Sequence, residues 1–178
     1  DNGGTASTGI DYERFTDTKL TFAPGETSKS FNVTIIGDAL DEPDETLRMN
    51  LSNEQNVTVA TRTNLGTVVD NDDPPNLVVN EPRVVEGPKG RIGAGIFTVS
   101  LDNPSGKEIS VNYADTKNGS AISDVDYQAI DPGRLIFRPG VVTQPLRFFF
   151  RGDDVEEEEE TITLRFSNPV NVVFNTGD

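Results

Sequence analysis

The chain has 178 residues, with 30 acidic and 15 basic side chains, a formal net charge of −15, and neither cysteine nor histidine. This charge argues against nucleic acid and anionic membrane surfaces as partners. The lack of cysteine excludes disulfides and thiolate metal sites, and the lack of histidine excludes histidine acid–base chemistry. No apolar run has the length of a membrane-spanning helix, so we expect no direct membrane insertion.

Apolar and polar residues alternate in six stretches, as in strands that bury one face. Turn residues such as Pro24-Gly25 and Pro139-Gly140 separate these stretches, and no helical stripe is present. The pattern predicts an all-β fold built of antiparallel sandwiches. In chain order the expected inward positions are Phe31, Val33 and Ile35; Leu47, Met49 and Leu51; Phe97, Val99 and Leu101; Ile109, Val111 and Tyr113; Leu146, Phe148 and Phe150; and Ile162, Leu164 and Phe166.

The chain repeats itself without a gap, residues 4–57 matching residues 119–172. Asp11-Tyr12 aligns with Asp126-Tyr127, and the inward positions keep their parity in both copies. The segment Asp70-Asn71-Asp72-Asp73-Pro74-Pro75 separates the copies, because its two prolines stiffen it and cannot join a central strand. We therefore predict two domains, residues 1–73 and 74–178.

Each of the two copies contains a segment that the other copy lacks. Residues 74–118 have no counterpart in the first copy, and residues 65–70 have none in the second. We expect the first sandwich to lack its N-terminal strands and the second its C-terminal strand. This is the pattern of a fragment of a longer array, or of a subunit completed by strands from neighbouring molecules.

The most highly charged stretch is residues 153–160, where seven of eight residues are acidic. Like charges ~4 Å apart repel by about 1 kcal/mol even in water, so solvent or a bound cation must compensate them. The spacing Asp-x-x-x-Glu-x-x-Glu occurs in both copies, and calcium prefers several converging oxygens. A solvated acidic turn is the alternative, and Asp11 and Asp126 could instead cap turns.

Four motifs occur in the same order in both copies: Gly-Thr/Ser-Ala, Asp-Tyr, Leu-x-Phe-x-Pro-Gly and Gly-Asp-x-x-x-Glu-x-x-Glu-Thr. Together they resemble the Calx-beta repeat, the calcium-binding module of sodium/calcium exchangers that also occurs in tandem in large extracellular adhesion proteins. Val84-Val85-Glu86-Gly87 is similar to the first-strand motif of that family, and residues 67–72 are similar to its terminal strand and aspartate cluster. The resemblance implies two tandem immunoglobulin-like β-sandwiches that bind calcium among loops at one end.

The resemblance also implies the calcium ligands, carried over position by position. Ala39 stands where the family often has an aspartate, and Asn71 interrupts the final cluster, so we expect less charge at the first site. The second copy would offer Glu86, Asp126, Asp153, Asp154, Glu157 and Glu160. The first copy would offer Asp11, Asp38, Glu42, Glu45, Asp70 and Asp72.

We interpret the chain as a non-enzymatic structural or adhesive module of a large extracellular or cell-surface repeat protein, with calcium (Ca²⁺) stiffening the array near Pro74-Pro75. The expected partners are neighbouring Calx-beta domains of the same or another chain, and homophilic, carbohydrate or matrix contacts. Three alternatives remain open. The chain could be a self-assembling filament or matrix subunit, a cytosolic calcium-sensing regulatory domain of a cation exchanger, or a calcium-independent spacer.

Overall fold

The computed structural model describes residues 3–174 of an all-β protein. Contacts between Cα atoms divide the chain into two units between Asp72 and Asp73, one residue from the boundary drawn from the sequence. The first unit contains strands β1 (Glu45–Asn50) and β2 (Thr63–Val68). The second contains β3 (Asn76–Val79), β4 (Ile92–Leu101), β5 (Ile109–Asp115), β6 (Gly133–Phe137), β7 (Thr143–Arg151), β8 (Leu164–Val170) and β9 (Val173–Phe174). Among these residues, no helix is long and apolar enough to span a membrane.

The second unit is a sandwich of two sheets. One sheet has the strand order β7-β4-β3-β9 and the other β6-β5-β8. All pairs are antiparallel except β3 with β9, which run parallel. The core joins Val99 and Leu101 of the first sheet to Ile109 and Phe137 of the second. Buried side chains of both sheets form one cluster, and the predicted inward residues Val99, Leu101, Ile109, Val111, Leu146 and Phe148 are buried, although Ser110 between two of them is buried as well.

Two glycines allow aromatic rings to lie close against β4. A Cβ atom added to Gly93 would stand 2.0 Å from the Phe150 ring, and one added to Gly95 would stand 2.2 Å from the Phe148 ring. Phe148 also contacts Phe97, with ring centroids 5.0 Å apart. The sequence Ile-Gly-Ala-Gly-Ile-Phe of β4 therefore fits the aromatic run Phe148-Phe149-Phe150 of β7, because no larger residue leaves room for the rings.

The first unit has one regular antiparallel pair, in which β1 and β2 are aligned from Glu45↔Val68 to Asn50↔Thr63. Leu47 on β1 and Tyr12 are buried. Tyr12 forms a single antiparallel bridge with Ile35. The counterparts of these two residues, Tyr127 and Phe150, form the same bridge in the second unit.

Two predicted strands are not regular strands in the structure. Residues 31–35 form only the bridge at Ile35, and Phe31 and Ile35 are exposed rather than inward. An alternating segment forms a β-ladder only when a neighbouring strand pairs with it. No second strand lies beside residues 31–35 within residues 3–174. The Val84-Val85-Glu86 motif is also irregular, and Val85 is 91% exposed. Prolines at positions 82 and 88 remove backbone donors on both sides of it.

Candidate metal centre

Each unit holds its aspartate of the Asp-Tyr motif by the same hydrogen bonds. In the second unit Asp126 Oδ2 accepts the Ile122 N–H (2.6 Å), and the Asp126 carbonyl accepts the Arg151 N–H (2.7 Å). In the first unit Asp11 Oδ2 accepts the Ser7 N–H (2.5 Å), and the Asp11 carbonyl accepts the Ile36 N–H (2.9 Å). The aspartate therefore caps a turn, and its turn is fastened to the end of the strand-like segment that leads to the acidic loop.

The acidic loop starts with a second geometry that both copies share. Asp153 Oδ1 accepts the Val155 N–H (2.6 Å), and Asp38 Oδ1 accepts the Leu40 N–H (2.8 Å). Each of these bonds reaches two residues ahead, which is a typical Asx turn. In the second unit the Asp153 N–H also donates to Glu86 Oε1 (3.0 Å) and so links the acidic loop to a distant segment.

The acidic loop ends at a clasp made by the Gly-Thr/Ser-Ala and Glu-Thr motifs. Thr161 N–H donates to Ser120 Oγ (2.9 Å), and Thr46 N–H donates to Thr5 Oγ1 (2.8 Å). The preceding glycine is required by close backbone approach, because a Cβ at Gly119 would stand 1.9 Å from the Thr161 carbonyl oxygen. The clasp fixes the glutamate that directly precedes each threonine, at positions 45 and 160.

In the second unit these anchors bring carboxylates together. Asp126, Glu157 and Glu160 each offer one oxygen, and these oxygens lie within 4.8 Å of one another. Partial desolvation raises the pKa of Glu157, followed by the charges of Asp153, Asp126 and Glu86. Desolvation also raises the pKa of Glu160, together with the charges of Asp126, Glu157 and Glu86 and a hydrogen bond with Asp126. Five of the six residues proposed from the sequence thus act on one another.

The sixth residue, Asp154, is placed differently. Its Oδ2 atom lies 3.5 Å from Lys89 Nζ, and both side chains are exposed. The Asp153 backbone N–H donates to Glu86 Oε1, whereas the Asp154 carboxylate lies beside Lys89.

The first unit gathers all six of its sequence-predicted residues into one electrostatic cluster. Burial raises the pKa of Glu42, as do the charges of Asp38, Asp11, Asp70 and Asp72. Burial raises the pKa of Glu45 to about 7, with contributions from a hydrogen bond to Asp11 and from the charges of Asp11 and Glu42. A raised carboxyl pKa among other acids indicates that the negative charge of the site is not fully compensated by nearby positive groups or solvent.

Two acidic residues near the first cluster were overlooked in the sequence. Asp44 Oδ1 accepts the Asp70 N–H (3.0 Å) and holds the end of the first unit against the acidic loop. Asp41 is only 2% exposed, although its counterpart Glu156 is exposed. Asp41 lies outside the Asp-x-x-x-Glu-x-x-Glu spacing that the two copies share, so the repeat gives no signal for it.

The donor set fits calcium. Calcium is bound by carboxylate oxygens at about 2.3–2.6 Å, so two oxygens on one ion are at most about 5 Å apart. The 4.8 Å limit within the Asp126, Glu157 and Glu160 group satisfies this condition. Neither histidine nor cysteine is available in the chain, so these sites offer the oxygen ligands that suit calcium and magnesium rather than nitrogen or sulfur.

Comparison with known proteins gives a consistent family assignment. The model of the Calx-beta domain matches residues 1–74 and again residues 70–175. Extracellular matrix protein 3 of Lytechinus variegatus is 30% identical over 93% of this chain, and adhesion G-protein coupled receptor V1 of Danio rerio is 28% identical over 90%. Sodium/calcium exchanger 1 of Canis lupus familiaris is 50% identical over 28% of the chain.

The chain spans only a small part of these relatives, namely 6%, 3% and 5% of their respective lengths. Among solved structures, that titled "Crystal structure of CBD12 from CALX1.2" aligns with 93% of this chain and 64% of its own, with a TM-score of 0.43 and 21% identity.

Proposed function

The chain belongs to the Calx-beta domain family, and from this premise we propose that each of its two units binds calcium through its acidic cluster. The observation that carries the proposal is the convergence of Asp126, Glu157 and Glu160, with oxygens within 4.8 Å of one another. The first unit offers a second cluster around Glu42 and Glu45.

The chemical role of the ion is to compensate charge that the protein leaves uncompensated. Desolvation, and after it the charges of neighbouring acids, raises the pKa values of Glu42, Glu45, Glu157 and Glu160, so ionising these groups together costs free energy. A divalent cation reverses that cost, because it attracts all the carboxylates at once. The residues that would hold it are Asp11, Asp38, Glu42, Glu45, Asp70 and Asp72 in the first unit, and Glu86, Asp126, Asp153, Glu157 and Glu160 in the second.

We further propose that the chain is a structural segment of an extracellular or cell-surface repeat protein. The matrix and adhesion relatives align with 93% and 90% of the chain, whereas the exchanger aligns with 28%. Asp70 and Asp72 lie four and two residues before Pro74 of the Pro74-Pro75 pair, so an ion bound to them would restrain the chain entering the second unit. In this proposal calcium stiffens a tandem array.

A calcium-sensing regulatory role in a cation exchanger is the second candidate, favoured by the 50% identity over 50 residues with sodium/calcium exchanger 1. The two roles call for different affinities. Extracellular calcium modules bind with dissociation constants of about 10⁻⁴–10⁻³ M, whereas cytosolic sensors bind at about 10⁻⁷–10⁻⁵ M. A measured dissociation constant in the lower range would favour the sensor and argue against the extracellular array.

Thermal unfolding in calcium and in chelator tests the proposal. An ion that binds only the folded state adds about 2.7 kcal/mol to the free energy of unfolding at 100 times its dissociation constant. We therefore expect a higher melting temperature in calcium and a smaller shift in magnesium, which gives up its water less readily. Small-angle scattering of the same samples tests the stiffening. Identical melting in calcium and chelator would reject calcium binding, and an unchanged scattering profile would reject stiffening alone.

A further inference from the structure

The outer face of the sheet β7-β4-β3-β9 carries a cluster of arginine and apolar side chains. Leu146 and Phe148 of β7 are buried in the core, so the alternate residues of this strand lie on the outer face. The strand register places six outward side chains next to one another in three cross-strand pairs, Ile92↔Arg151, Ala94↔Phe149 and Ile96↔Arg147. We call these six residues the arginine face.

The composition of the arginine face differs from that of the chain as a whole. None of the outward residues of β4 and β7 is aspartate, glutamate or lysine, although 30 of the 178 residues are acidic. Phe149 is 42% exposed, and Ile92 and Ile96 are 61% and 38% exposed. Surfaces through which proteins bind one another are enriched in arginine and aromatic residues and depleted in lysine, glutamate and aspartate. The arginine face therefore has the composition of a protein-binding surface.

The described part of the chain does not use the charges of the two arginines. Arg147 and Arg151 are exposed, and within residues 3–174 neither guanidinium forms a hydrogen bond or an ion pair. Lys89, by contrast, lies beside Asp154. A guanidinium is a planar fork that binds a carboxylate through two parallel hydrogen bonds. The arginine face thus offers two carboxylate-binding groups to a partner.

The first copy has different chemistry at the matching positions. Asn32 stands at the position of Arg147, and Thr34 stands at the position of Phe149. The inward positions on either side of them are apolar in both copies. An outward residue of a strand packs against no core, so folding does not require arginine or phenylalanine there. The repeat accounts for the inward residues of β7, and its outward residues are specific to the second unit.

The spacing of these side chains defines the chemistry of the partner. Arg151 follows Arg147 by four residues, which is about 13 Å along a strand, and Phe149 lies midway between them. An extended segment lying along β7 has the same rise per residue. Carboxylates at its positions i and i+4 would therefore meet the two arginines, while an apolar side chain at i+2 would contact Phe149.

We propose that the arginine face binds an extended segment of a different protein, in which two carboxylates four residues apart flank an apolar residue. The net charge of −15 repels both a long polyanion and a second copy of this chain. A contact limited to two carboxylates depends mainly on the local charge of Arg147 and Arg151, because salt screens more distant charges. The contact involves no metal ion, so it does not depend on calcium binding by the acidic clusters.

The test follows the backbone amide signals of the isotope-labelled whole chain by NMR while the peptide Thr-Asp-Thr-Val-Thr-Asp-Thr is added in chelator. We expect saturable shifts at residues 92–96 and 147–151. The peptide Thr-Thr-Asp-Asp-Val-Thr-Thr has the same composition but adjacent aspartates, so only one carboxylate can reach an arginine, and it should bind at least about fivefold more weakly. Raising the ionic strength from about 0.15 M to about 1 M should also weaken binding severalfold, because the screening length falls from about 8 Å to about 3 Å.

Two double variants locate the bound peptide. Arg147→Asn with Phe149→Thr gives β7 the outward residues of the first copy and should weaken binding at least about fivefold. The matched control is Arg138→Asn with Ile136→Thr, which removes one exposed arginine and one exposed apolar side chain at β6, in the other sheet. The control should bind within about twofold of the parent chain. Unchanged melting temperatures would show that both double variants remain folded.

The proposal would be overturned by an absence of saturable shifts, by equal binding of the two peptides, or by equal losses in the two double variants. Tighter binding of heparin than of the peptide at the same amides would also overturn it, because the occupant would then be a sulfated polyanion. A dimer of the parent chain that Arg147→Asn with Phe149→Thr abolishes would do the same, because the occupant would then be a second copy.

Discussion

At the scale of single residues, the molecule places carboxylates where they repel one another. Glu45 shows the effect most clearly, because burial, Asp11 and Glu42 together raise its pKa to about 7. Hydrogen bonds from backbone donors hold Asp11, Asp38, Asp126 and Asp153 in place despite the repulsion. Ionising these neighbouring carboxylates costs free energy in the absence of a metal, and a bound cation would offset that cost.

The first prediction concerns pH. The folded pKa of Glu45, about 7, lies above its ordinary value of 4.5, so the folded state binds the proton more tightly than the unfolded state. This stabilisation is complete below about pH 4.5 and is lost as the pH rises through about 7. In chelator, denaturant unfolding should show the first unit losing stability over this interval, and Glu45→Gln should flatten the dependence. Stability that rises across the same interval in chelator would contradict the account.

The second prediction compares two acids of the second unit that the structure places differently. Asp126→Asn should weaken calcium binding at least tenfold, because Asp126 offers an oxygen to the converging group. Asp154→Asn should change affinity little, because this carboxylate pairs with Lys89 at the surface, and such an exposed pair contributes about 0–1 kcal/mol. Isothermal titration of both variants measures the difference. A larger loss for Asp154→Asn would mean that its side chain belongs at the ion.

At the scale of elements, sequence patterns succeeded where both partners of a ladder lie within residues 3–174. The alternation of Val99 with Leu101, and of Ile109 with Val111, predicted strands whose inward residues are buried. The same alternation at residues 31–35 failed, because a strand requires hydrogen bonds from a neighbour that local sequence cannot supply. The two ligand sets were carried over from the family resemblance, which could not show that Asp154 lies beside Lys89.

The third prediction concerns the clasp that ends the acidic loop. Gly119→Ala would place a Cβ 1.9 Å from the Thr161 carbonyl oxygen and displace the clasp. We expect the second unit to lose about 1–3 kcal/mol of unfolding free energy, as in other overpacked sites. Gly66→Ala is the control, because its Cβ would lie 4.0 Å from the Leu47 carbonyl oxygen, an ordinary contact. Chemical denaturation of both variants in chelator measures the effect. Equal stability of the two variants would contradict the role assigned to Gly119.

At the scale of the whole molecule, both repeats contain an acidic cluster, although the second has more regular strands than the first. The net charge of −15 keeps the chain soluble and adds a general attraction for cations. Specific binding requires more than this field, and in our proposal the two clusters provide it by fixing carboxylates at the ends of matched loops. The first unit holds six such acids and the second holds five, so we expect one set of calcium sites in each unit.

The most direct test is calcium titration of the parent chain and of one variant per unit, at constant ionic strength. The account predicts that Glu45→Gln weakens one set of sites and Glu160→Gln weakens the other, each leaving the remaining set unchanged. It would be contradicted if calcium released no heat and shifted no melting curve, or if both variants bound calcium as the parent chain does.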